Sequence, residues 1–328
     1  MTPQPELSVI IISFNTRNMT RDCLNTLKRD LEDIPSEIFV VDNASRDASA
    51  EMIAEEFPDV ILIRTDVNLG FGGANNLALH RATGRYIVLL NSDAFPAPGA
   101  MRLSIQHMDA NPQCGLGGAR LIGREGEWQP SARAFHSITA DAFTYTGLSG
   151  RYPQSKFFAR LDETWADQLA PRKVDWVPGA YSIIRPEALQ KAGPFDLRFF
   201  LYYEEVDLCM RIKQAGYDIW YWPDIVITHI GGESSRQLKH LDFSSKASQV
   251  TKWRMRSTLL YYRKHHGAKA YLAKMLEEVL YTFSMWRNRI SSNSERKTRA
   301  THFAVLREMM RKAWAETNGG RVSPPAPW

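Results

Sequence analysis

Three carboxylates fall within four consecutive positions of the segment YYEEVDLCMR. The apolar spacing predicts a helix over about 203–215, on which Glu204, Asp207 and Arg211 share one face. Glu205 is rotated from that face by about 100°. One of these carboxylates could act as a general base for an attacking hydroxyl, and Arg211 could pair with Asp207. The alternative is that the acidic residues only stabilise the positive end of the helix.

Two further carboxylates and a histidine follow apolar runs that predict buried strands. Asp42 ends the run EIFVVD, where it could accept a hydrogen bond from a base; the alternative is that the segment from Asn43 to Asp47 simply caps the next helix. Asp93 follows YIVLLNS, where it could bind a divalent cation together with substrate phosphates. The alternative is that Asp93 only forms a turn before Pro96. His229 is a candidate metal ligand only if its strand ends beside Asp93, and otherwise a hydrogen-bonded structural residue.

Two glycine-containing segments are candidates for substrate contact. Residues 68–76 (NLGFGGANN) open a helix, so their N–H groups could meet a phosphate; a tight turn packed on the sheet is the alternative. The segment matches neither a Walker loop nor the dinucleotide fingerprint. Residues 176–180 (WVPGA) could place an indole and a close backbone against a sugar ring, or simply pack in the core.

The elements that position these residues alternate in type. Short apolar strands are predicted over 7–13, 37–42, 60–64 and 86–90, with helices between them, which indicates an α/β protein with a doubly wound, mostly parallel sheet. Ligands bind such sheets beyond the carboxyl ends of the strands. The later predicted elements are strands near 116–122 and 174–184, a strand pair over 217–222 and 225–230 split by Pro223, and helices from 245 to about 317 with breaks near Gly267 and 291–294.

Composition excludes several classes of protein. The 328 residues are 44% hydrophobic and 11% aromatic, which excludes an intrinsically disordered chain. No apolar run reaches the ~20 residues of a membrane span, and no basic secretory leader opens the chain. Three widely spaced cysteines predict reduced structural thiols. We therefore expect a cytoplasmic protein.

Charge divides the chain near residue 244. Residues 1–244 carry a net charge of −7 and residues 245–328 carry +12, which together give the net +5. We therefore expect a body over 1–244 and a basic helical extension over 245–328. Clusters of basic residues typically bind phosphates, membrane surfaces or acidic partners. A nucleic-acid-binding protein is one alternative that this charge suggests, but no nucleic-acid motif appears and we expect no such partner.

In this order the motifs resemble the inverting family 2 glycosyltransferases of GT-A fold, and within them the bacterial rhamnosyltransferases that build cell-surface polysaccharides. The resemblance covers about residues 7–235. The residues that carry it are Val9–Asn15, Val40–Ser45, Asn68–Asn76, Leu90–Asp93, Trp176–Ala180, Gly193–Asp196, Phe199–Arg211 and His229.

The resemblance implies a role for each candidate. Asp42 binds the nucleotide base, and Asp93 with His229 holds Mg²⁺ or Mn²⁺, although Asn91 replaces the first acidic residue of the family's metal motif. Glu205 is the catalytic base, with Glu204 as the alternative. The remaining predicted substrate-binding residues are Phe14, Asn15, Asn68, Gly70, Asn75, Ser92, Trp176, Gly179, Asp207 and Arg211.

The resemblance also implies the substrates. One in-line displacement would move a sugar, L-rhamnose from dTDP-rhamnose, onto a glycan or a polyprenyl-diphosphate-linked acceptor. The alternatives are a UDP-sugar donor and a catalytically inactive module that binds nucleotide or glycan. The segment 261–266 and the aromatic and basic residues that follow predict a surface for anionic membrane lipid on the cytoplasmic face; packing on the catalytic domain or a homodimer is the alternative. The residues that extend this predicted surface are Tyr271, Tyr281, Phe283, Trp286, Arg287 and Arg289.

Overall fold

The computed structural model describes residues 4–231, 243–290 and 294–324, and ten strands among them form one sheet flanked by helices. The strands are β1 (Leu7–Ser13), β2 (Ser36–Asp42), β3 (Ile61–Arg64), β4 (Tyr86–Asn91), β5 (Ala94–Pro96), β6 (Cys114–Ile122), β7 (Trp128–Gln129), β8 (Arg172–Val174), β9 (Tyr181–Ile184) and β10 (Asp218–His229). The helices are α1 (Arg17–Asp30), α2 (Ser49–Glu56), α3 (Gly70–Leu79), α4 (Ala100–Ala110), α5 (Ile138–Tyr145), α6 (Leu148–Arg151), α7 (Pro186–Ala192), α8 (Glu204–Gln214), α9 (Phe243–His266), α10 (Lys269–Arg289) and α11 (Ser294–Glu316).

The first four strands form the parallel half of the sheet, in the spatial order β3-β2-β1-β4. Helices cover both faces, so the apolar runs of β1, β2 and β4 are buried, as their near-continuous hydrophobicity predicts. The order continues β9-β6-β10-β5, and there only β6 and β10 run parallel. The α/β class is thus confirmed, and the antiparallel strands lie in the second half.

Two predicted strand regions differ from the observed ones. The region near 174–184 is two strands, β8 and β9, and the irregular segment between them holds Trp176 and Gly179. The predicted pair around Pro223 is one strand, β10, whose register shifts between Trp222 and Val226. Proline has no N–H for the ladder, so the strand is irregular there without ending.

Helices α9–α11 begin and end close to the predicted breaks, and α9 packs against the residues around α8 and the sheet. Tyr261 and Tyr262 are fully buried, in the same core as residues of α8 and β9. Lys264 pairs with Asp196 at 2.6 Å. The segment 261–266 is therefore largely an internal contact, and its prediction as a lipid surface is wrong. Helical periodicity cannot tell which basic, aromatic face turns inward.

Two predictions from composition can be compared with the described residues. All three cysteines are buried and unbridged, in agreement with structural thiols. None of the described helices is both long and apolar enough to span a bilayer. The division of the chain at residue 244 stays a prediction.

Candidate functional site

The carboxyl ends of the parallel strands meet at one edge of the sheet. The last residue of β1, Ser13, pairs with Asp42 of β2, and Ile12 pairs with Asn91 of β4. The polar residues that follow these strands therefore line one crevice, at the place where the βαβ order predicts a ligand.

Asp42 keeps an open acceptor in this crevice. Its Oδ2 accepts a hydrogen bond from the Ser45 N–H at 3.2 Å. Its Oδ1 is buried and has no hydrogen-bond partner among the described residues. Burial raises the pKa of Asp42, against the hydrogen bonds from Ser45 that lower it. Asp47, within the segment that the capping alternative named, accepts from the Ser49 N–H at the start of α2. Asp42 keeps its Oδ1 for a donor from a ligand.

Asn15 and Ser92 help to shape the same edge. Asn15 has a left-handed backbone (φ +53°) and accepts the Arg46 N–H through its side chain. Ser92 bonds to the Thr16 hydroxyl at 3.1 Å, within a cluster of buried hydroxyl groups. Phe14 is half-buried just after β1. These residues hold the turns that follow β1 and β4.

The glycine-rich segment is a packed turn. Helix α3 begins at Gly70, within the predicted segment, and three successive N–H groups around its start have hydrogen-bond partners inside the protein. The Leu69 N–H bonds to Asn43, the Gly70 N–H to Asn68 and the Phe71 N–H to the Phe200 carbonyl. These three donors are satisfied by the protein itself, which favours the tight-turn alternative, and phosphate contact by the rest of the segment stays a prediction.

Asn75 is likewise internal. Its side chain is buried and donates to the Phe71 carbonyl at 2.9 Å, one turn earlier in α3. Asn68 bonds to Asn43 at 3.0 Å. The structure thus gives Asn68, Gly70 and Asn75 the task of fixing the start of α3, where the sequence analysis predicted substrate contacts.

Gly70→Ala is expected to lower the free energy of unfolding by about 3 kcal/mol. Gly70 has φ +73°, and a Cβ there would overlap the Phe200 carbonyl oxygen. Gly99 has a similar φ of +84° but no atom within 4 Å of an added Cβ, so Gly99→Ala should cost only about 1 kcal/mol. Denaturant unfolding of both variants measures the difference, and equal losses would contradict the packing argument.

Asp93 and His229 come together as the metal prediction requires. The Asp93 Oδ1 and His229 Nε2 atoms are 3.6 Å apart. The pairing of β10 with β5 aligns His229 with Ala94, next to Asp93, and the Ile230 N–H bonds to the Asp93 carbonyl. The turn alternative for Asp93 does not account for this pairing of two ligand-type side chains.

The pair fits a divalent cation in two respects. Gln129 bonds to the His229 Nδ1 at 2.9 Å and also donates to its carbonyl, so the ring is oriented with Nε2 towards Asp93. Such a bond on the far nitrogen is typical of metal-ligating histidines. Burial lowers the pKa of His229, which favours the neutral ring that binds metal, while the Asp93 charge opposes this. Within the described ranges no third His, Cys, Asp or Glu joins them, which leaves room for substrate phosphate oxygens.

Glu204 and Glu205 open helix α8 as an acidic pair in which Glu204 is buried and Glu205 half-buried. Each has one carboxylate oxygen that is buried and lacks a hydrogen-bond partner in the described part of the chain. Burial raises the pKa of Glu204, and the charge of Glu205 raises it further. Burial also raises the pKa of Glu205, while Arg133 and His136 lower it. Groups with raised pKa values at a crevice are candidates for proton transfer.

The backbone before the acidic pair is strained. Tyr202 and Tyr203 both have φ +69°, a left-handed conformation that costs non-glycine residues of order 1–3 kcal/mol each. Tyr203 is the N-cap residue of α8, directly before its first residue, Glu204. The two tyrosines therefore set the direction in which Glu204 and Glu205 project, and such strain is typical of functional sites.

Asp207 and Arg211, later in the same helix, form contacts inside the protein. Asp207 is fully buried; it pairs with Arg211 at 2.8 Å and with His265 and Lys264 of α9. Arg211 also donates to the carbonyls of Ala192 and Gly193. The predicted pairing of these two residues is confirmed. Their predicted substrate contact is wrong, because their bonds lie inside the protein, where they attach α8 to α9.

Trp176 and Gly179 lie in the loop between β8 and β9. Trp176 is buried, its indole N–H bonds to the Ala134 carbonyl, and Arg133 stacks over its ring at 4.8 Å, which is the core-packing alternative. A Cβ at Gly179 would lie 4.0 Å from the Glu205 Cβ. The Asn91 N–H bonds to the neighbouring Ala180 carbonyl at 3.0 Å, so this loop connects the end of β4 to the acidic pair.

Three residues near the site were missed by the sequence analysis. Gln129 orients His229, and Arg133 and His136 bear electrostatically on Glu205. No local spacing marks them. The pairing of Arg133 with Trp176, across 43 residues of chain, helps to bring their segment to the site.

Comparisons with known proteins agree with this geometry. A family model described as glycosyl transferase family 2 matches residues 8–189. The N-acetylglucosaminyl-diphospho-decaprenol L-rhamnosyltransferase of Mycobacterium tuberculosis is 26% identical over 231 residues, which are 66% of this chain and 74% of that enzyme. The rhamnosyltransferase WbbL of Escherichia coli is 23% identical over 263 residues, 77% of this chain and 91% of its own.

Solved structures show the same fold. The mannosyltransferase PcManGT of Pyrobaculum calidifontis, in complex with GDP-Man and Mn²⁺, has a TM-score of 0.54 at 16% identity, over 97% of this chain and 88% of its own. GalNAc-T7, solved with UDP, GalNAc and Mn²⁺, has a TM-score of 0.56 at 15% identity, over 98% of this chain and 59% of its own. The fold is that of the GT-A glycosyltransferases. With more than half of its length matched by the family model, the chain belongs to glycosyl transferase family 2 and is a glycosyltransferase similar to bacterial rhamnosyltransferases.

Proposed function

We propose that the protein is an inverting, metal-dependent glycosyltransferase that moves L-rhamnose from dTDP-rhamnose onto a lipid-linked saccharide. The observation that carries this proposal is the Glu204–Glu205 pair, whose unpartnered carboxylate oxygens are buried and which the loop containing Gly179 and Ala180 links to the end of β4 beside Asp93. The loop thus joins a proton acceptor to a cation site, and a displacement at an anomeric carbon requires both.

Each side chain has a distinct part in the reaction. Ionised Glu205 takes the proton of the acceptor hydroxyl, whose oxygen attacks the anomeric carbon opposite the leaving diphosphate; a single displacement of this kind inverts the configuration. A divalent cation bound by Asp93 and His229 would offset the negative charge of the diphosphate. Asp42 accepts an N–H of the pyrimidine base through its open Oδ1. Thymine and uracil present the same imide edge to it. The rhamnosyl group of the proposed donor is assigned from the names of the two rhamnosyltransferases above, and the donor panel tests the nucleotide.

A panel of donors tests the proposed activity. Wild-type protein is incubated with dTDP-rhamnose, UDP-sugars or GDP-mannose, with Mn²⁺ or Mg²⁺, and release of the nucleoside diphosphate is followed. We expect slow, metal-dependent release from dTDP-rhamnose above all other donors. If the nucleoside diphosphate is released only from a UDP-sugar, the protein is still a transferase but its donor is not dTDP-rhamnose. If no sugar nucleotide binds, the proposed function is contradicted.

The Mycobacterium tuberculosis relative is named for a diphospho-decaprenol acceptor, and α10 has a surface suited to reach such a lipid. Large apolar side chains recur on one face of this helix at spacings of three, four and seven residues. They are Leu272, Val279, Phe283 and Trp286, with Ile290 just past its end, and each is at least 50% exposed. Tyr271 is exposed too, whereas Tyr281 bonds to Glu277. We call Leu272, Val279, Phe283, Trp286 and Ile290 the apolar face of α10.

Charge favours an anionic bilayer as the partner of this face. Arg287 and Arg289 are exposed beside it, while both acidic residues of α10 are paired, Glu277 with Arg254 and Glu278 with Lys274. A second copy of the chain would bring the same basic groups together, whereas anionic lipid complements them. The proposed location is therefore the cytoplasmic face of the membrane, with α10 lying in the interface.

Replacing two members of the apolar face should weaken membrane binding. We expect the double variant Phe283→Glu, Trp286→Glu to bind vesicles of 70% phosphatidylcholine and 30% phosphatidylglycerol at least about tenfold less than wild type. Co-sedimentation measures this, and wild-type binding should fall with added salt. Leu169→Glu, at another exposed position (65%), is the matched control. Unchanged binding of the double variant would contradict the surface, and a dimer that the variant abolishes would assign the face to a second copy.

A further inference from the structure

Two buried hydrogen-bond donors near the end of β6 have no partner. The Nε atom of Arg120 and the indole Nε1 atom of Trp128 are both buried, and neither makes a hydrogen bond to the residues that the structure describes. Both groups can only donate hydrogen bonds. Donors left unpaired away from water cost free energy, so this pair points to acceptor atoms that a ligand brings, and the charge of Arg120 favours an anion.

Arg120 differs in this respect from two other arginines that have an unpaired nitrogen. Arg172 bonds to Glu163 and Arg211 bonds to Asp207, so both guanidinium groups are held in place by the protein. No such hydrogen bond or ion pair holds Arg120 within the described ranges. The residue is half-buried, so its side chain is not sealed from solvent.

The two donors share one face of the sheet. In the antiparallel pair of β6 and β7, Trp128 lies opposite Ile122, which is two residues beyond Arg120. Side chains two residues apart on a strand point to the same side, and diagonal neighbours of this kind lie about 7–8 Å apart. A ligand group with several acceptor oxygens can therefore meet both side chains.

The pair lies at the edge of the sheet that forms the crevice. Strand β9 is antiparallel to both β4 and β6, so β6 runs in the same direction as β4. Arg120 is third from the carboxyl end of β6, and it pairs with Val226 of β10, three residues before His229. At about 3.3 Å per residue, Arg120 lies about 10 Å along the strand direction from His229.

The face that carries Arg120 is the face on which Glu205 lies. Leu116 is four residues earlier on β6, so it points to the same side as Arg120 and is about 13 Å away along the strand. Leu116 and Glu205 line one small cavity, which places the start of α8 against this face. A saccharide diphosphate that brings a hydroxyl to Glu205 can therefore bring its phosphates towards Arg120.

The candidate metal ligand His229 lies on the opposite face. Gln129 follows Trp128 on β7 and so points to the other side of the sheet, where it bonds to His229. A diphosphate bound through Asp93 and His229 would lie on that side. The anion that suits Arg120 and Trp128 is therefore a second one, on the side of the proposed base.

We propose that Arg120 and Trp128 form a subsite for the diphosphate of the saccharide acceptor, a sugar that is linked to its lipid through this group. A guanidinium group binds phosphate oxygens through parallel N–H bonds, and the indole N–H donates to a neighbouring oxygen. The inference rests on the proposed function for the class of acceptor, and it adds which group of that acceptor the protein recognises. Holding the phosphates fixes where the attacking hydroxyl lies, so the subsite selects diphosphate-linked over free saccharides.

Calorimetry on the full chain with Mg²⁺ and saturating dTDP tests the subsite. The probe is N-acetylglucosaminyl diphosphate that carries a short isoprenyl chain. We expect Arg120→Gln to weaken its binding by about 10- to 100-fold. Trp128→Phe keeps a ring and removes the N–H donor, so it should weaken binding by about 2- to 10-fold. The affinity for dTDP should be unchanged in both variants, and in transfer assays KM for the saccharide acceptor should rise while kcat stays close to that of wild type.

Arg124→Gln is the matched control. Arg124 is an exposed arginine in the turn between β6 and β7, so this variant has the same change in net charge and should bind the probe as wild type does. Arg120→Lys keeps the charge and loses the planar group, so it serves with a smaller expected loss if Arg120→Gln does not fold.

Four outcomes would overturn the proposal. They are no binding of the probe to wild type, unchanged binding in the folded Arg120 variant, an equal loss in Arg124→Gln, and a loss confined to dTDP, which would assign the subsite to the diphosphate of the donor. If Arg120→Gln loses the probe in a protein that neither binds dTDP nor transfers a sugar, the subsite is retained and the proposed function is rejected.

Discussion

Glu205→Gln is expected to lower kcat by about 10²–10⁴-fold while the affinity for the sugar nucleotide changes little. Glutamine has the shape of glutamate but cannot take the proton of the acceptor hydroxyl. The donor should still bind, because its proposed contacts, Asp42, Asp93 and His229, lie at the ends of strands and not on helix α8. Donor affinity is measured by calorimetry and kcat by release of the nucleoside diphosphate with acceptor present.

Glu204→Gln is the companion variant, since it carries the same change one residue earlier. Glu204 is 4% exposed, so its smaller access to substrate predicts a weaker effect on kcat. Burial, and then the charge of Glu205, raise the pKa of Glu204, so Glu204 is the member of the pair that stays protonated, and Glu204→Gln should leave the acidic limb of the pH profile nearly unmoved. A larger loss in Glu204→Gln than in Glu205→Gln would transfer the role of base to Glu204.

Asp93→Asn should produce the second large effect, a loss of at least about 100-fold in kcat/KM together with weaker Mn²⁺ binding. The substitution keeps the size of the side chain and removes the charge that faces His229 at 3.6 Å. Chelation of wild-type protein should reproduce the loss, and added Mn²⁺ or Mg²⁺ should restore it. Gln129→Leu should weaken metal binding by a smaller factor of about 10–100, because Gln129 only orients the His229 ring.

Asp224→Asn is the control for the metal prediction, because Asp224 forms the comparable carboxylate–histidine pair with His107 away from the crevice. It should leave both metal binding and activity unchanged. Wild-type activity that survives complete chelation would contradict the metal role of Asp93 and His229.

The parts of the structure that depend on local pattern were predicted well from the sequence. The apolar runs before Asp42 and Asp93 are buried strands whose ends meet, and the acidic segment forms helix α8. The breaks in the extension fall at Gly267 and after residue 290. The patterns that indicate buried strands, helices and turns each extend over a few positions, so they can be recognised in a single sequence.

The parts that depend on distant contacts could not be predicted in this way. The N–H groups at the start of α3 are satisfied in part by the carbonyl of Phe200, about 130 residues later. Tyr262 is buried, and its hydroxyl donates a hydrogen bond to Asp141, 121 residues earlier in the chain. From the sequence alone, the basic and aromatic residues next to it predict a lipid-facing surface. The sequence around His136 contains no motif that would single it out. Its contacts with Tyr203 and Asp141 come from distant parts of the chain and become apparent in the folded structure.

The most direct test of the central claim is transfer itself, followed by NMR. Wild-type protein, Mg²⁺ or Mn²⁺, dTDP-L-rhamnose and a lipid-linked N-acetylglucosaminyl diphosphate acceptor are combined, and the anomeric proton and carbon of the new glycosidic linkage are observed. The account predicts one rhamnosyl product whose anomeric configuration is opposite to that of the donor, formed only with metal and absent with Glu205→Gln. A product that retains the donor configuration, or one formed equally by the Glu205→Gln protein, would contradict a single displacement with Glu205 as base.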